Sequence, residues 1–132
     1  MRVLALDHGS ARCGAAISDP TGTLATPLDV GERPDTKKGF AAVARLVEDQ
    51  GAERVVVGLP LTLRGEEGRQ AERARTFAER LEGKVSVPVE LHDERLTTRL
   101  AERTGGERDA DSRAAAHLLE SYLARGGTGA PE

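Results

Sequence analysis

Aromatic residues are nearly absent: Phe40, Phe77 and Tyr122 are the only Phe, Tyr or Trp in 132 residues. The core must therefore be aliphatic. Aromatic platforms for stacking single-stranded bases are excluded as a main mode of nucleic-acid binding. Cysteine is as scarce. The single Cys13 excludes an internal disulfide and a CxxC zinc site, and it suits a reducing compartment. No stretch approaches the ~18 apolar residues of a membrane span. The first apolar run meets Asp7 too early for a secretory leader, so the expected location is cytoplasmic, with no membrane partner. A net charge of −3 gives no global pull toward nucleic acid. Such a partner must be engaged by local arginines or through bound cations.

What the chain does have is aliphatic patterning. Val3 to Leu6 is an apolar run ending on Asp7, followed by Gly9, a turn through Ser10-Ala11-Arg12, and a second apolar segment closing on Ser18 and Asp19. This reads as a buried strand, a tight turn and a returning strand, with a carboxylate where the first strand leaves the core. Gly9, lacking a Cβ, leaves the backbone there open to a ligand. Thr23 to Val30 reads as a third strand, placed at an edge by Pro27.

Asp35 is a plausible N-cap for a helix burying Phe40, Val43, Ala44 and Val47, with Gly51 as its stop. Arg54 to Leu61 is apolar on both faces, so it is expected to be a central strand, with a loop over Gly58 to Gly65. A helix over Glu67 to Leu81 should bury Gln70, Ala74, Phe77, Ala78 and Leu81 and turn out Arg69, Arg73 and Arg80. Interspersed with Glu66, Glu67, Glu72 and Glu79, those arginines read as an ordinary solvated face.

Pro88 to His92 makes the last strand and ends on Asp93 and Glu94. A short helix over Thr98 to Arg103 follows, then a final helix from Asp111 to Ala124 with the stripe Ala115, Leu118, Leu119, Tyr122 and Leu123. This order predicts an α/β domain over 1–125, a mixed five-stranded sheet with helices on its faces, and a flexible tail over 126–132.

Two strands end on acids, Asp7 and the Asp93-Glu94 pair, and ligands gather at strand ends in α/β sheets. Asp111 lies four residues before Ala115, on the stripe that faces the sheet, where an ionised carboxylate is costly unless paired or metal-bound. Three converging carboxylates call for divalent cations. An all-oxygen set favours Mg2+ or Mn2+, and two such ions about 4 Å apart clamp a phosphodiester. Asp at a helix start is also a favoured N-cap, so Asp111 carries two readings. His8 and His92 read as neutral surface or supporting groups, and Cys13 as core. Arg12 and Arg95, adjacent to the candidate acids, could hold a phosphate bidentately or pair with a carboxylate. Gly58 to Gly65 could offer backbone amides to substrate.

The segments LALDHGSARCGAAISD, VVVGLPLTLRG, PVELHDERLTT and DSRAAAHLLESYL resemble, in order and over nearly the whole chain, the YqgF/RuvX family of pre-16S rRNA nucleases, also called Holliday-junction-resolvase-like proteins. The resemblance implies an RNase H-like fold and a hydrolase, a metal-dependent nuclease acting on structured nucleic acid. It further implies a role in maturing the 5′ end of 16S rRNA during ribosome biogenesis, with pre-rRNA, a ribosomal precursor or branched DNA as partner. By position it matches Asp7, Glu94 and Asp111 to the family's catalytic metal ligands, with Asp93 the neighbouring alternative to Glu94; the substrate contacts expected from the residues themselves are Arg12, Arg95, Gly9 and Gly58. The strand VVVGLP lacks the acid many RNase H-like nucleases place there, so the Asp93-Glu94 segment must substitute. TGGERDA, before the last helix, is short and not basic, which weakens the grip expected from it.

Rival readings are a sugar-kinase-type ATPase, whose phosphate loop also runs strand-Asp-x-Gly-turn-strand, a Holliday junction resolvase, and a non-catalytic ribosome-associated factor. The ATPase needs two domains closing on the nucleotide, and length allows one. Monomer and homodimer both remain open. A junction cutter would match its two-fold substrate as a dimer.

Overall fold

The strand Val3–His8 (β1) is the axis of the sheet, because its six residues have apolar neighbours on both faces and paired strands on both sides. The computed structural model describes residues 1–9, 11–61, 64–93 and 107–125, without the side chains of 29, 30 and 107–112. β1 turns back antiparallel into Arg12–Ser18 (β2), which pairs antiparallel with Ala25–Glu32 (β3). Helix Lys37–Asp49 (α1) then crosses to Arg54–Leu59 (β4), parallel to β1. Helix Arg69–Glu82 (α2) crosses to Val89–Asp93 (β5), parallel to β4. The strand order is β3-β2-β1-β4-β5, and Glu107–Ala124 (α3) closes the chain. Pro27 does sit on an edge strand, where its missing N–H costs least.

Alternation along the strands sorts the core into two layers. Leu4, Leu6, Cys13, Ala15, Ile17, Val55 and Val57 pack under α1 and α2 against Val43, Val47, Ala74, Phe77 and Leu81. Val3, Ala5, Ala16 and Val56 face the other way, against Ala115, Leu118, Leu119 and Tyr122 of α3. The sheet is thus covered on both faces, and β4 is buried on both, as its unbroken apolar run demands. Tyr122 donates to Glu90 at 3.0 Å, and Arg54 pairs with Glu90 and donates to the Tyr122 hydroxyl at 3.3 Å, tying α3 to the start of β4 and β5.

Several boundaries differ from the sequence-based expectation. Thr36, not Asp35, caps α1, its Oγ1 accepting from the Gly39 amide at 3.0 Å. Asp35 is engaged elsewhere, by His8. β4 stops at Leu59 because Pro60 has no N–H to continue a ladder, and Leu61 forms only an isolated bridge with Glu67. In α2, Ala71 takes the buried position expected of Gln70, which is exposed. α3 begins at Glu107, a full turn before Asp111, so Asp111 is inside the helix and does not cap it. The expected helix over 98–103 and the tail over 126–132 lie outside the described residues.

The turn from β3 into α1 is locally strained. Arg33 adopts φ +48°, donates its amide to Ala11 O at 2.9 Å, and accepts from Thr36 N at 3.1 Å and Thr36 Oγ1 at 2.8 Å. Its carbonyl thereby lies against Gly39, where a Cβ would come within 1.9 Å of Arg33 O and 2.6 Å of Glu32 O. Backbone on backbone cannot give way cheaply. Gly39→Ala is therefore expected to destabilise by about 2 kcal/mol or more, at the upper end of overpacking costs, read as a lowered denaturation midpoint.

Candidate active site

Asp7 occupies the last turn of the β1 face that α3 covers. Val3 and Ala5, four and two residues earlier on the same face, are in the α3 cluster. Every other β1 residue is buried, and Asp7 is half-buried. The registers explain the opening. Asp7 lies opposite Gly14 on β2. On the other side, the parallel register Leu6↔Val57 continues to Gly58, which in turn lies opposite His92 on β5. The row across the sheet therefore reads Gly14, Asp7, Gly58, His92, and the carboxylate has a backbone floor without side chains on both flanks. With strands about 4.8 Å apart, that floor is about 10 Å wide. Gly14 and Gly58 are themselves buried, so the half-buried carboxylate is flanked by backbone alone.

Arg12 shares this face, since it alternates with Gly14 and Ala16, and it lies diagonally from Asp7 across the β1–β2 pair. Among the expected site residues the structure thus brings together Asp7, Arg12 and Gly58. Gly58 does so as a strand residue within the β4 ladder and not, as the sequence suggested, at the head of a loop. Gly9 has a structural role in the turn. Its amide donates to Arg12 O at 2.9 Å, and a Cβ there would meet that oxygen at 2.8 Å, so this glycine lets the β1–β2 turn close.

Asp93 ends β5 and lines a cleft of about 420 Å3 with Leu91, His92 and the α3 residues Tyr122 and Arg125. Glu94 and Arg95 lie outside the described residues. Asp111 sits in α3 one turn before the fully buried Ala115, on the helix that covers Asp7's face. Among the described residues no three His, Cys, Asp or Glu side chains group as a metal site.

His8 and His92 are buried, not on the surface. His8 packs its ring on Phe77, with centroids 4.8 Å apart, on the face opposite Asp7. Its Nε2 lies 2.8 Å from Asp35 Oδ1, and Nδ1 has no partner among the described residues. A carboxylate only accepts, so Nε2 carries the proton and donates. His92 lies 3.0 Å from the Ser121 hydroxyl and edge-on to Tyr122. Burial holds its imidazole below the ordinary range, and the Arg125 charge pushes the same way, while Asp93 and Glu90 oppose both. The His8–Asp35 pair and the glycine floor had no signal in the chain order alone, because both depend on which residues the sheet register makes neighbours.

The family model described as "RuvX: Holliday junction resolvase" matches residues 1–125. The chain belongs to the RuvX family. A relative from Chloroflexus aurantiacus, named "Putative pre-16S rRNA nuclease", is 45% identical over 130 residues, covering 92% of this chain and 85% of the relative. One of the same name from Listeria innocua is 41% identical over 134 residues, covering 93% and 97%. Among solved structures, Thermus thermophilus RuvC in complex with a Holliday junction substrate matches with TM-score 0.62 at 20% identity, covering 97% of each chain. The fowlpox virus Holliday junction resolvase matches with TM-score 0.59 at 15% identity, covering 95% of this chain and 99% of that one. These likenesses establish the RNase H-like fold of RuvC-type resolvases for this RuvX chain. Among the described residues no helix is long and apolar enough to cross a membrane.

Proposed function

We propose that this RuvX protein is a divalent-metal-dependent nuclease that hydrolyses phosphodiester bonds in structured nucleic acid, its target being the 5′ end of pre-16S rRNA. The observation that carries the reading is the half-buried Asp7 carboxylate on a side-chain-free floor between Gly14 and Gly58, under α3. The donor chemistry fits Mg2+ or Mn2+: the ligands assigned are the carboxylates of Asp7, Glu94 and Asp111, with Asp93 as the alternative to Glu94. With two such cations bound, the centre gains a Lewis acid for phosphoryl oxygens and hydroxide near neutral pH.

The remaining work falls to the chain itself. Asp7 fixes the position of the reacting phosphate relative to the sheet. Gly14 and Gly58 keep side chains away from both flanks of that carboxylate. Arg12, on the same face, supplies a guanidinium fork for a non-bridging phosphate oxygen, with Arg95 as the second such contact. Catalysis then rests on positioning and charge, as phosphoryl transfer generally does.

A second reading, junction resolution, is favoured by the likeness in fold to RuvC, whose structure was solved with a Holliday junction substrate. One assay separates the readings. The protein is incubated with Mn2+ and, in parallel, pre-16S leader RNA, a four-way DNA junction and a plain duplex, with EDTA controls. Cutting of the leader RNA that EDTA silences is the expected result. Preference for the junction, with a dimer by light scattering, moves the assignment to a resolvase. No cleavage of any substrate leaves a non-catalytic ribosome-associated factor.

A further inference from the structure

The arginines of α2 are interleaved with glutamates in sequence but not in space. Arg69, Arg73, Thr76 and Arg80 recur at i, i+4, i+7 and i+11, which puts them on one stripe of the helix. That stripe and Glu72 form one wall of a cleft of about 510 Å3, and Asp35, at the turn before α1, forms the other. Of the glutamates near the stripe, Glu67 is drawn away from it by Arg75. Arg69 and Arg73 have neither hydrogen bond nor ion pair with any described residue, and Arg80 rests its guanidinium 4.3 Å over the Phe40 ring. Asp35 already accepts from His8. The cleft therefore presents three guanidiniums, none of them ion-paired to a described residue, against two carboxylates, Asp35 and Glu72.

The cleft is also placed usefully. β1, β3, β4 and β5 run the same way, so α1 and α2 both start at the sheet edge where Asp7 lies. Asp35, in the cleft wall, is one hydrogen bond from His8, the residue after Asp7.

We propose that the α1–α2 cleft is a second nucleic-acid contact, in which Arg69, Arg73 and Arg80 bind successive backbone phosphates of a strand that passes over the sheet edge from the Asp7 face. This rests on the nuclease reading for the identity of the ligand. The row of charges extends along about 16 Å of helix axis. A nucleic-acid strand presents a phosphate every ~3.4 Å of its own axis, so a linear row of this length suits several phosphates in register and is too long for one small anion. It also supplies the local cationic surface that a chain of net charge −3 needs and that TGGERDA does not offer. Phosphate contacts of this kind set affinity and register, not sequence preference.

The test uses the whole protein in Ca2+ without Mn2+, with labelled leader RNA and four-way junction, titrated across a KCl series. R69Q/R73Q leaves Arg80 on Phe40 and touches no buried group, so its melting temperature should equal wild type. Binding should weaken about tenfold near physiological salt on every nucleic acid tried. The slope of log K against log salt should flatten by roughly 2 for the two lost phosphate contacts. R69K/R73K, which keeps the charge, should restore most of the slope. Unchanged affinity and slope in R69Q/R73Q, with wild type binding and cutting normally, overturn the cleft and leave the nuclease reading standing. A flattened slope in a protein that binds but never cuts keeps the cleft and overturns the nuclease. Failure of wild type to bind any nucleic acid overturns both.

Discussion

Asp7→Asn is expected to lower Mn2+-dependent cleavage by about 10³-fold or more while the protein folds and melts like wild type. Metal-assisted stabilisation of phosphoryl charge is worth several kcal/mol, and each ~1.4 kcal/mol is a factor of ten in rate. Asparagine preserves the shape of the side chain and one acceptor oxygen, so the β1–β2 and β1–β4 registers around it have no reason to move. It removes only the charge. The loss should appear in kcat, with KM for RNA changed far less, because the phosphate contacts proposed for Arg12 and the α2 arginines remain. Asp7 is half-buried at the end of an otherwise buried strand, and asparagine keeps its volume there, so stability should stay close to wild type. A rate within threefold of wild type, at matched Mn2+, would remove Asp7 from the centre and with it the argument from the glycine floor.

The architecture was legible wherever one period dominated a segment. Val3 to Asp7 read as a buried strand ending on an acid because the apolar run is uninterrupted, and the α3 stripe emerged from 3.6-residue spacing. Element ends were less legible, since neighbouring residues compete for the same job. Asp35 and Thr36 are both good caps, and the buried His8 ring takes Asp35 because a buried polar group needs a partner. Lateral register is a different kind of information. Nothing in the chain order makes Gly14 and Gly58 neighbours of Asp7, or sets His92 beside Gly58. Those placements follow only from how three strands slide against β1. The α2 stripe was available in the sequence, but counting charges along the chain hid it. Sorting them by helical angle reveals it.

Phe77→Ala is the stability counterpart of the Asp7 experiment. Phe77 is 1% exposed and its ring lies between two others, 4.8 Å from His8 and 6.0 Å from Phe40, in a chain with almost no aromatic residues to replace it. Truncating a buried phenylalanine costs about 3–5 kcal/mol, from lost burial and the cavity left behind. Against a total of about 5–15 kcal/mol this is a large share, so the variant should lose cooperative folding at modest urea concentration. Phe77→Leu fills part of the void and should recover part of the loss.

The aromatic stack also carries a second load. His8 donates to Asp35 from a position fixed by Phe77, and Asp35 joins the sheet edge to the α1–α2 cleft. Phe77→Ala and Asp35→Ala should therefore not be additive. Residues that share one partner, as these share His8, typically couple by more than about 0.5 kcal/mol in a double-mutant cycle, whereas independent ones agree within that margin. Coupling of that size would identify Phe77 as the support that holds His8 to Asp35, and additivity would reduce it to core filling.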